Sequence, residues 1–120
     1  MGKPKAHTDR PPTVGQAQEF DLLYPLVESA YEEISKLSQK KQDGFVNERK
    51  VKYINPLLVK VKNLLAGDPV SEYLDIFEED TTLQNSDAAL ILGRFVKAMD
   101  QFRSRYYSAF QGWTTRNGRG

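Results

Sequence analysis

The sequence predicts an all-α fold, an antiparallel four-helix bundle with three long helices and one short one, flanked by flexible tails. Three observations lead there. Apolar residues recur at helical spacing in long stretches of the chain. The connections between these stretches are short and polar. No segment shows the period-two alternation of an antiparallel strand. A chain of 120 residues is long enough for one domain with a real core, expected over residues 16–113.

Residues 1–15 hold three prolines and several charges with almost nothing apolar, the composition of a flexible tail. The first helix is expected from Ala17 or Asp21 to Gln42. Phe20, Leu23, Leu26, Val27, Ala30, Tyr31, Ile34 and Leu37 fall on one arc, and Glu28, Glu32, Glu33 and Lys36 lie off it. Pro25 is harmless if Asp21 caps the helix, because the missing N–H then falls in the first turn; an earlier start puts a kink there. Asp43-Gly44 ends the element.

The second helix is expected from Val46 to Ala66, with Val51, Ile54, Leu57, Leu58, Val61, Leu64 and Leu65 as its stripe and Pro56 on its polar side. Asp68-Pro69 is a helix-start signal, so a short third helix is expected to about Glu78, burying Val70, Tyr73, Leu74 and Phe77. Leu23-Tyr24-Pro25-Leu26-Val27 echoes Ile54-Asn55-Pro56-Leu57-Leu58, but five positions do not make a repeat.

The last helix, from Ser86 to Trp113 with Asn85 or Ser86 as its cap, organises the rest. Ala88, Leu92, Phe95, Met99, Phe102, Tyr106, Ala109 and Trp113 recur at alternating steps of four and three. Ile91, Val96, Tyr107 and Phe110 widen the stripe. Residues 114–120, with two glycines and two arginines, form the second flexible tail.

The formal charge of +1 conceals alternating blocks. Residues 16–35 carry five acidic groups and no basic one, and residues 68–87 carry seven acidic groups and no basic one. Residues 36–62 carry eight basic groups against two acidic, and residues 94–120 six against one. Such blocks suit helices that pair oppositely charged faces, or a dipolar surface that steers a charged partner.

The absence of cysteine excludes disulfide staples, thiolate zinc sites and a cysteine nucleophile. No apolar run approaches the roughly 20 residues that span a bilayer, and no apolar segment follows the basic N-terminus as in a secretory signal. By elimination the chain reads as cytoplasmic, without a membrane partner. The single histidine, His7, lies in the expected tail, so no triad or dyad has a folded base. Phosphate-cradling glycine loops are absent, and Glu32 and Glu33 face different sides of their helix. The run Asp75, Glu78, Glu79 and Asp80, with Asp87, is the nearest approach to a divalent-cation site. It lacks the spacing of a calcium loop and reads as solvated acids. No cofactor and no metal are expected, and no catalytic constellation is found.

Binding is the reading that remains. Arg103 falls inside the apolar arc of the last helix and needs either a carboxylate or a route along apolar surface to water. With Arg105, Tyr106, Tyr107, Phe110 and Trp113 it forms a basic–aromatic cluster of the kind that docks proteins or stacks on nucleic acid. The expectation is therefore a small helical protein–protein interaction module, possible as a homodimer: an adaptor, an inhibitor or immunity-type protein, or an accessory subunit. One alternative is a nucleic-acid-binding regulator using Lys36, Lys40, Lys41, Arg49, Lys50 and Lys52 at the first helix junction together with the tails. Another is an enzyme whose carboxylates act through a site that no motif reveals.

Overall fold

The computed structural model describes residues 10–79 and 82–116. Lys3, Lys5 and His7 of the expected tail, Asp80 of the acidic run, and residues 117–120 lie outside them. Among the described residues three α-helices carry the fold: α1 (Val14–Lys40), α2 (Glu48–Leu64) and α3 (Asn85–Tyr106).

A capping box starts α1 ahead of the expected Ala17. The Gln16 backbone N–H donates to Thr13 Oγ1 at 3.1 Å, and the Thr13 backbone N–H donates to Gln16 Oε1 at 2.9 Å. Pro25 consequently sits well inside the helix. Its side of the helix is exposed, so the carbonyl of Asp21, which loses its donor, faces water. Ala17, Phe20, Leu23, Val27 and Ile34 are buried, whereas Leu26, expected in the apolar arc, is 52% exposed at its edge.

Asn47 caps α2 by accepting the Arg49 backbone N–H at 2.7 Å, two residues beyond the expected start. Val51, Ile54, Leu58 and Val61 face the core. The side chains of Lys50 and Glu33 form an ion pair between α2 and α1.

The expected short helix is the main correction to a four-helix bundle. Asp68 does accept the Val70 N–H, at 3.0 Å, with Pro69 in first position. Only a 3-10 turn follows, Pro69–Tyr73, and residues 74–78 then run without helical structure. Asn55, buried in mid-α2, decides this. Its Nδ2 donates to the Phe77 carbonyl at 2.8 Å, and its Oδ1 accepts the Phe77 N–H at 2.9 Å. A helix would need that N–H for the carbonyl of Tyr73. Leu74 and Phe77 still reach the core, while Tyr73 stays exposed. The chain after α2 is thus a strap that occupies the fourth position of the bundle.

At the far end the strap closes onto the α1–α2 connection. Val46 N–H donates to the Leu83 carbonyl at 2.8 Å, and Asn85 N–H donates to the Gly44 carbonyl at 2.7 Å. Asn85 does not cap α3, because its Nδ2 reaches the Lys41 carbonyl at 3.0 Å. Gln84 stands at the cap position without a side-chain hydrogen bond.

The last helix stops at Tyr106, seven residues before the expected Trp113. A hairpin follows, β1 (Tyr107–Ser108) pairing antiparallel with β2 (Gly112–Trp113), with Tyr107 opposite Trp113. Gly112 has φ of +72°, a backbone region that side chains with a Cβ seldom enter, so the turn depends on it. The Gln111 N–H donates to Ser108 Oγ at 3.0 Å across the loop.

Helix directions follow from these contacts. Phe20 stacks on Phe102 and Tyr24 meets Asp100, so α1 and α3 are antiparallel. Glu33 meets Lys50 while Gln16 and Leu64 line one cleft, so α1 and α2 are antiparallel as well. Phe20, Val27, Ile34, Leu58, Val61, Leu92, Phe95 and Met99 form the shared core, closed on the strap side by Leu74 and Phe77.

Candidate functional site

The hairpin turns the C-terminal end of α3 into an aromatic corner. Trp113 folds back so that its ring meets Phe20 edge-on at 5.1 Å between centroids and Tyr107 edge-on at 5.4 Å. Its Nε1 donates to the carboxylate of Asp21 at 3.2 Å. Phe102 stacks on Phe20 at 5.7 Å and meets Tyr106 edge-on at 5.1 Å. These offset and edge-to-face geometries suit the quadrupoles of the rings. They fasten the base of the hairpin to α1 and α3.

Arg103 is exposed and rests on rings, forming no ion pair among the described residues. Its guanidinium lies 4.9 Å from the Tyr107 centroid and 5.8 Å from that of Tyr24, a pair of cation–π contacts worth about 0.5–1 kcal/mol each at an exposed site. The Tyr24 hydroxyl donates to Asp100. Burial pushes the Tyr24 phenol above its ordinary value, and the hydrogen bond to Asp100 and its negative charge push it further.

The six residues predicted as one partner surface separate into three groups. Arg103, Tyr107 and Trp113 gather against α1. Arg105 and Tyr106 turn away: Arg105 Nη1 pairs with Asp68 at 2.8 Å, which raises the guanidinium's pKa further, and the Tyr106 hydroxyl accepts the Arg10 backbone N–H at 2.8 Å. Phe110 stands apart at the hairpin tip, 98% exposed. Most of the aromatic surplus expected of the last helix is therefore absorbed within the fold, and of that cluster Phe110 is what remains outside it.

The basic residues of the nucleic-acid alternative all belong to the end of the molecule that carries the α1–α2 connection. Lys36, Lys40, Lys41, Arg49 and Lys52 are exposed there, and Lys50 is half-buried and paired with Glu33. Glu32, Asp43 and Glu48 share the same stretch and dilute its positive field. Asp75, Glu78, Glu79 and Asp87 are exposed. Among the described residues no three His, Cys, Asp or Glu side chains converge as metal ligands would. Among them too, no helix is long and apolar enough to cross a membrane.

Sequence reasoning did not single out Asp21, Tyr24 or Asn55 as contact-forming residues. Tyr24 and Asn55 each precede a helical proline in the two echoing pentads, and each reaches across to a neighbouring element. Polar residues beside the apolar arc were the available signal. Compared with known protein families, curated proteins and solved structures, the chain matches none.

Proposed function

We propose that this chain is a small protein–protein interaction module that engages its partner by inserting Phe110 into an apolar pocket. The observation that carries this reading is the near-complete exposure of Phe110 on a hairpin whose base is fastened by Trp113 to Phe20, Tyr107 and Asp21. An exposed phenylalanine has no role in the chain's own core. On a braced loop it loses little conformational freedom on docking, and this is how aromatic anchors yield affinity. Arg103, held over Tyr107 at the base of the hairpin, supplies a cation for an acidic rim on the partner.

The test is affinity capture from the native cell with the wild type and Phe110→Ser in parallel, followed by titration of the purified partner against both. The substitution removes no intramolecular packing, so the fold should melt within about 0.5 kcal/mol of the wild type. Affinity should fall at least about 30-fold, the effect of losing about 2 kcal/mol at a central anchor. A partner that binds both proteins within twofold would refute the assignment. Light scattering of the same two proteins checks whether the partner is a second copy of the chain.

A further inference from the structure

At the end of the bundle opposite the α1–α2 connection lies a cleft of about 350 Å³, within the range of small-molecule sites. Its walls come from the segment before α1, the end of α2 and the segment after the hairpin, with Pro11 and Ala66 as its accessible apolar lining over the buried Pro12, Leu65 and Tyr106, and with Arg10 and Arg116 as its cations. Arg116 is held in place by its own backbone, whose N–H donates to the Pro12 carbonyl at 2.9 Å, and by its Nε, which donates to the Pro11 carbonyl at 2.8 Å. Arg10 passes over Gly67, where a Cβ would stand 3.3 Å from the arginine Cδ. The absence of a side chain at position 67 lets that guanidinium lie against the cleft wall.

The charge in the cleft is unbalanced. Asp68 is its acidic lining residue, and it is already paired with Arg105 at 2.8 Å. Among the described residues neither Arg10 nor Arg116 forms an ion pair. The C-termini of α2 and α3 each bring about −0.5 charge to this end and the N-terminus of α1 about +0.5. Among the described lining residues, two full guanidinium charges outweigh that sum. A carboxylate is satisfied by one guanidinium fork, whereas a tetrahedral phosphate dianion offers three terminal oxygens to two forks. The apolar lining and the remaining volume suit the organic group that carries it.

We infer that this cleft binds a small phosphomonoester, with Arg10 and Arg116 on the phosphate and Pro11 and Ala66 against its organic part. It is independent of the hairpin tip. Titration of inorganic phosphate and of phenyl phosphate into ¹⁵N-labelled full-length protein, at constant ionic strength, tests it by NMR. Saturable shifts are expected at the amides of Gly67, Asp68 and Arg116, with phenyl phosphate binding more tightly than phosphate. Binding should weaken below about pH 6, where a phosphomonoester loses its second charge. Arg10→Gln and Arg116→Gln should each weaken phenyl phosphate at least tenfold. Asp68→Asn retains an oxygen to cap Val70 and frees Arg105, so it should tighten binding severalfold, and this arm does not disturb the anchoring of Arg116. Shifts that do not saturate, equal shifts with added chloride, glutarate binding as tightly as phenyl phosphate, or an unchanged affinity in Asp68→Asn would each overturn the inference.

Discussion

Replacing Asn55 by alanine removes the two hydrogen bonds that hold the Phe77 backbone of the strap to α2. The Phe77 residue they satisfy is almost fully buried, so its N–H and carbonyl lose their partners where water has little access. Each buried backbone group left unpaired costs about 1–3 kcal/mol. Glu78 and Glu79 beside it are exposed, which allows some hydration and places the sum at about 3 kcal/mol. That is a large part of a domain stability of about 5–15 kcal/mol. With an unfolding entropy of about 0.25 kcal/mol/K for a chain of this length, the midpoint should fall by about 12 °C. Asn55→Asp should lose at least as much, because it keeps the acceptor but sets a carboxylate against the Phe77 carbonyl and near Glu79, which Asn55 Nδ2 approaches at 3.3 Å. Thermal and urea denaturation followed by circular dichroism measure the loss. Amide hydrogen exchange should show protection at Phe77 reduced about 100-fold. An Asn55→Ala protein melting within about 3 °C of the wild type, with the Phe77 amide still protected, would show that the side chain does not hold the strap.

Two further outcomes follow from the same contacts. Thr13→Ala removes the capping box of α1 and should cost about 1 kcal/mol, lowering the midpoint by about 4 °C; an unchanged melt would mean that the helix does not depend on that cap. The Tyr24 phenol titrates above the ordinary 10.0 in the folded chain, so the folded state holds this proton more tightly than the unfolded state does. Its contribution to stability is complete below pH 10 and is lost as the pH rises beyond it. Midpoints measured between pH 8 and 11 should therefore decline more steeply for the wild type than for Tyr24→Phe, and parallel declines would contradict the Asp100 contact.

The cores of the three long helices are legible in the sequence because their apolar spacing reports burial directly. Leu92, Phe95, Met99 and Phe102 are both periodic and buried. The errors fall where two structures share one spacing. Leu74 and Phe77 are three apart, as on a helix face, yet an extended strap also buries them once Asn55 supplies a partner for Phe77. Trp113 continues the stripe of α3 by number, but it reaches Phe20 through a hairpin. Adjacent Tyr106-Tyr107, then Gly112 before Trp113-Thr114-Thr115, is the strand-and-turn signature that competes with the helical period there. Thr13 and Gln16 spell a capping box, hidden by the prolines just before them. The division of the basic–aromatic cluster could not be read from the sequence. It depends on α3 ending between Tyr106 and Tyr107, and a change of element there sends adjacent side chains to different sides.

The tryptophan at the base of the hairpin has an optical consequence. Trp113 is the sole tryptophan of the chain, and it is half-buried between Phe20 and Tyr107 with its indole N–H on the Asp21 carboxylate. Ultraviolet emission excited selectively from indole therefore originates from one place, three residues from the tip that the partner is proposed to grip. Every shift in its colour or intensity reports the seating of that loop, so the protein carries its own probe for watching docking in real time, without a dye.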